Sequence, residues 1–123
     1  MKIELTTLSE NTFSKTSCGK TYKWDVPTLI QFAKEKKYEI FDLPVKVIDY
    51  SVMLWNIENM WDIVDHCSRM KNVDMTIPVL IDNEGTICDG WHRVIRAAVD
   101  ELETIKAIRL EEMPHASSIK DIT

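Results

Sequence analysis

No apolar run in this chain approaches 18 residues, so a membrane-spanning helix is not expected, and Met1-Lys2 does not lead into the apolar stretch of a secretory signal. Cysteine is scarce and unpatterned. Cys18, Cys67 and Cys88 are an odd number at irregular spacing, which suggests neither a disulfide framework nor a four-ligand zinc site. Positive charge is in short supply, with 15 Lys and Arg against 20 Asp and Glu and a net charge of -5. Broad, non-specific nucleic-acid binding needs a basic field and is not expected, although a local basic pocket is allowed. Repeats, low-complexity segments and linkers are lacking too. Glycine is rare: Ser-Cys-Gly-Lys-Thr at 17–21 ends like a P-loop, but the glycine such a loop needs at position 14 is Ser14. A single cytoplasmic domain over residues 1–123 is the expectation.

What is present suffices for a core, since 45% of residues are hydrophobic and 28% charged. KIELT at 2–6 alternates like a strand, and the polar stretch 8–24 reads as a loop. Asp25 is placed to cap a helix over 26–37, with Pro27 tolerated in its first turn. Residues 38–43 and 45–49 are strand-like on either side of Pro44. A second helix, from about Ile57 to Met70, repeats its apolar residues at helical spacing, and those residues are expected in the core. TIPVLID, the turn Asn83-Glu84-Gly85 and TIC form a hairpin. Residues 104–110 make a further strand, and 111–123, polar and containing Pro114, read as a loose tail. Helices packed on a small mixed sheet give an α+β fold class.

The informative stretch is ICDGWHRVIRAAV, residues 87–99. From Trp91 the apolar positions Trp91, Val94, Ile95, Ala98, Val99 and Leu102 draw the stripe of a half-buried helix. Asp89 and Gly90 stand where its N-cap belongs. His92 and Arg93 occupy the first turn, where the helix dipole disfavours cations by about 0.3–1 kcal/mol each. An arriving anion would remove that cost, and free amides with Gly90, His92 and Arg93 make a phosphate site. Arg93 can fork onto phosphate oxygens; its structural alternative is a salt bridge to Asp82 or Asp89. His92 should titrate low at this position and so stay neutral, able to donate or accept. Asp89 is either a plain cap or a carboxylate facing magnesium on the phosphates. Arg96 pairs with Asp100 in the structural reading, and Trp91 either packs in the core or contributes to the ligand site. Cys88 and His92 can be assembled with His66 and Cys67 into a metal site, but no spacing requires it.

The run PVLIDNEGTICDGWHRVIRAAVDELETIKAIRL resembles the core of the ParB/sulfiredoxin superfamily, the ParB-like nuclease domain. Pro78, Gly85, Asp89, Gly90, His92 and Arg93 stand at the family's motif positions, and the likeness extends over about 45–110. Residues 1–44 match nothing in it, and 111–123 are tail. The resemblance implies a nucleotide site holding ATP, ADP or CTP, with magnesium, at the Asp-Gly-x-His-Arg helix start. Taken with the residue reading above, Asp89, His92 and Arg93 are the candidates for chemistry, Gly90, Trp91, His92, Arg93 and Arg96 for the ligand, and Asp89 for the metal. No zinc or redox cofactor is expected. Sulfiredoxins place a catalytic cysteine directly before the His-Arg pair; here that residue is Trp91, so sulfinic acid reduction is not expected. Nor is partition activity, because the DNA-reading helix-turn-helix of ParB proteins has no counterpart in the 123 residues. Two readings stay open: a nucleotide hydrolase, phosphotransferase or nuclease, and a non-enzymatic regulatory or protein-interaction module with a degenerate site.

Overall fold

The computed structural model describes residues 12–53 and 55–121, so the strand expected at 2–6 lies outside the described residues. Among them, three α-helices and seven strands in two sheets make a small α+β fold. The chain divides into two compact units. Of the described residues, one takes in those up to Glu39, Leu80–Asp89 and those from Ile108; the other takes in those of 40–79 and Gly90–Ala107.

The first unit starts with a hairpin. β1 (Thr12–Ser17) and β2 (Lys20–Asp25) pair antiparallel from Thr12 opposite Asp25 to Ser17 opposite Lys20. Cys18 and Gly19 both have positive φ, 53° and 74°, the geometry of a two-residue turn that matches strand twist. Residues 12–17 and 20–25 are therefore strands and not the expected loop, and the P-loop look-alike is their turn. The misreading has a physical source: one face of the hairpin is Lys, Ser and Thr in water, and only Phe13 and Trp24 are buried.

β7 (Ser118–Asp121) pairs with the other edge of β2, and this corrects the loose tail. The segment leading to it is tied down as well. Trp24 Nε1 donates to the Pro114 carbonyl at 2.8 Å, and Ser117 N donates to the Lys23 carbonyl at 2.7 Å. α1 (Val26–Lys36) runs where expected, with Pro27 in its first turn and Lys37 left-handed at its end; Asp25 holds the N-cap position, but its side chain makes no capping bond. It buries Val26, Leu29 and Ala33 against Phe13, Trp24, Leu80, Cys88 and Leu110.

The expected hairpin is present. β4 (Val79–Ile81) and β5 (Ile87–Asp89) pair antiparallel, with Leu80 opposite Asp89 and Ile81 opposite Ile87. The fully buried Asp82 carboxylate organises the turn: Oδ1 accepts from Glu84 N at 2.9 Å and Thr86 N at 2.8 Å, while Oδ2 pairs with Lys15 Nζ. A buried charge is tolerable only when paired and bonded in this way.

In the second unit β3 (Ile40–Pro44) lies beside β6 (Thr104–Arg109). A single 3-10 turn, Val45–Val47, replaces the strand expected at 45–49. Local polar bonds outweigh the β-branched composition there: Tyr50 Oη donates to the Val45 carbonyl at 2.9 Å, and Asp49 accepts from Ser51 N at 2.9 Å. α2 (Met60–Asn72) starts at a capping box between Asn59 and Asp62. α3 (Trp91–Val99) packs on α2 and buries Val94 and Ala97. It stops at Asp100 and left-handed Glu101, so Leu102 is not on its face, and Val99 is exposed.

α2 reverses the expectation for its apolar residues. No residue of the helix is buried, and Met60 (73% exposed), Trp61 (61%) and Val64 (49%) point outward. The opposite side carries Asp62, Asp65, His66 and Arg69, all partly buried.

Candidate functional site

α3 begins at Gly90, whose φ of 110° is left-handed. A Cβ there would stand 2.7 Å from Val79 Cγ1 and 3.0 Å from the Arg93 guanidinium. Glycine is thus required by both torsion and space. The N-cap is Gly90 and not Asp89, so no side chain caps the helix, and its first turn contains no acidic residue. Asp89 is the half-buried last residue of β5.

Arg93 answers the question of a cation at this end. Its Nη1 donates to the carbonyls of Ile77 and Pro78, each at 2.7 Å. Hydrogen bonds from a charged donor contribute about 1.5–3 kcal/mol each, more than the dipole costs. Arg96 pairs with Asp100 through Nε at 2.8 Å, as the i,i+4 spacing suggests. Its Nη1 also reaches the Lys71 carbonyl at 2.9 Å and that of Met70 at 3.4 Å. A cation thereby closes the C-terminal end of α2, where the dipole favours it. Trp91 is half-buried and meets Tyr50 edge-on at 6.2 Å, with Nε1 buried and unbonded.

His92 has the most specific surroundings. Its Nε2 lies 2.8 Å from His66 Nδ1 on α2, so one hydrogen is held between the two rings. The Trp55 indole lies flat over both, with centroids 4.1 Å from His66 and 4.7 Å from His92 and interplanar angles of 9° and 13°. Burial lowers the His92 pKa to about 4, helped by His66 and the Arg69 charge and opposed by Asp65. His92 is therefore neutral at pH 7, as its place in the first turn led us to expect, but burial dominates the shift.

Trp55 has no sequence signal linking it to this cluster, and the sequence suggests His66 only as a metal candidate. The available signal is the polar stripe Asp62, Asp65, His66 and Arg69 along one side of a helix whose other side is apolar. Asp65 and Arg69 form an i,i+4 pair at 3.1 Å, while Asp65 Oδ1 and Arg69 Nε are buried without a bonding partner. Buried polar atoms left without a partner in this way are uncommon.

The other assembled metal candidates do not converge. Cys67 is exposed, and Cys88 is buried with its thiol pushed up by burial and by the Asp82 charge. Among the described residues no group of three or more His, Cys, Asp or Glu side chains is arranged to hold a metal ion. A depression of about 550 Å³ lies at the other end of α3, lined by Val45, Lys46, Tyr50, Ala98, Glu101 and Leu102. With Glu103 also in its wall, its charge does not suit a phosphate. Among the described residues no helix is long and apolar enough to cross a membrane. Set against family models, curated proteins and solved structures, the chain matches none.

Proposed function

We propose that this chain is a ParB/sulfiredoxin-like domain that binds a phosphate-bearing ligand, in the first instance a nucleotide, at the first turn of α3. The observation that carries the reading is the His66–His92 pair under Trp55, set in the first turn of a helix with no side-chain cap. Backbone amides at such a start accept an anion, and the dipole favours it. His92 stays uncharged beside that dipole, and a neutral imidazole can donate to a phosphate oxygen. Arg93 adds a charge next to Gly90 while holding the carbonyls of Ile77 and Pro78. Arg96 is engaged with Asp100 and the end of α2, so its part in the ligand site recedes. The hydrogen held between the two histidines supplies acid–base capacity to any hydrolysis or phosphotransfer, with the helix amides stabilising phosphoryl charge.

A thermal-shift series with ATP, ADP, CTP and GTP, with and without magnesium, tests this. A ligand at about 100 times its Kd stabilises the fold by about 2.7 kcal/mol, and at least one nucleotide should raise the Tm. No shift with any of them at millimolar concentration would exclude the site. A second reading, a non-enzymatic interaction module, is favoured by the exposed Met60, Trp61 and Val64 of α2.

A further inference from the structure

We propose that the outward face of α2 is a self-association surface, against which a second copy of this chain lays its own α2 antiparallel. The orientation of α2 is fixed by its polar side. Asn59 and Asp62 cap its start, Arg96 holds its last carbonyls, and His66 is paired with His92 under Trp55. A half-turn of the helix about its axis would cover Met60 and Trp61 but would carry His66, Asp65 and Arg69 out of those bonds. The apolar side is therefore held in water by the polar one. Contiguous exposed apolar surface of this kind marks an interaction site. Val52, Met53 and Ile57, in the segment before the helix, are exposed as well. A stable interface takes about 800 Å² from each partner.

Charge selects the occupant. Along the outward strip the exposed charged residues are Glu58, just before the N-cap, and Lys71, in the last turn. In an antiparallel pair related by a two-fold axis near Val64, Glu58 of each copy faces Lys71 of the other. A parallel pair would set like against like. The helix dipoles also oppose in the antiparallel arrangement. An isologous two-fold contact is the commonest form of homo-oligomer.

Sedimentation equilibrium of the full chain over a wide concentration range tests the proposal. The wild type should show a monomer–dimer equilibrium. Val64→Glu should weaken it by at least about tenfold, with far-UV circular dichroism unchanged because residue 64 is exposed. Glu58→Lys and Lys71→Glu should each weaken association, and the double charge exchange should restore it. A monomer at every concentration would overturn the proposal and leave the face to a different protein. So would a dimer that none of these changes affects, or an exchange that fails to restore one.

Discussion

α1 and α2 carry the same kind of sequence signal and use it in opposite directions. Both repeat apolar residues at helical spacing. α1 turns Val26, Leu29 and Ala33 inward and leaves its lysines in water. α2 turns Met60, Trp61 and Val64 outward and sets Asp65, His66 and Arg69 inward. Apolar area alone would bury both faces, at about 25 cal/mol per Å². The difference lies in the polar side. The side of α1 away from the core offers solvated Lys and Gln. That of α2 offers a histidine with a specific ring partner and an ion pair with buried atoms, which are costly to unpair once desolvated. Periodicity therefore identifies a helix, but which face is inward depends on partners that lie far away in sequence.

The largest expected effect breaks this comparison directly. Leu29→Ala in α1 should cost about 2–5 kcal/mol in equilibrium unfolding. Val64→Ala in α2, measured in dilute solution, should stay within about 0.5 kcal/mol. Equal losses would mean that α2 buries its apolar side within the chain. The second effect contrasts two glycines of positive φ. Gly90→Ala adds a backbone penalty of about 1–2 kcal/mol to overpacking of about 1–3 kcal/mol against Val79. Gly85→Ala, with φ 87° but open space around it, should show only the backbone part. Comparable unfolding midpoints for the two variants would refute the close approach at Gly90.

The third effect is smaller and depends on pH. His92 has a folded pKa of about 4, below the ordinary value of 6.5. Between those values the unfolded chain binds a proton that the folded chain refuses. His92 therefore costs stability as pH falls from about 6.5 to 4, and nothing more below that. For a half-exposed ring this is on the order of 1–2 kcal/mol. Unfolding curves at pH 7 and 4.5 should show it, and His92→Gln should flatten that part of the pH dependence. An unchanged dependence in the variant would assign it to another group.

Elements with local signals were readable from sequence. Pro27 and Asp25 announce α1, Gly85 announces the β4–β5 turn, and the stripe from Trp91 announces α3. The Arg96–Asp100 pair followed from i,i+4 spacing alone. What could not be read depends on distant pairing. β7 becomes a strand because β2 offers it an edge, and β1 and β2 hide their period behind solvated Lys and Thr. Cys18-Gly19 was the available hint, a turn glycine flanked on both sides by Thr and Lys. The candidate site divides in the same way. The helix start at Gly90, His92 and Arg93 was legible, whereas His66 is 26 residues from His92 and Trp55 further still. Only the fold brings those rings together.

The role proposed for His92, paired with His66, is that of a neutral donor at an anion-binding helix start. Its most direct test is a long-range ¹H–¹⁵N NMR titration of the imidazoles, with and without nucleotide. The account predicts that His92 titrates near pH 4, with Nε2 resonances that report the bond to His66. It also predicts that saturating nucleotide shifts His92 together with the backbone amides of Trp91 and Arg93. A His92 that titrates near 6.5 and does not respond to any nucleotide would contradict it.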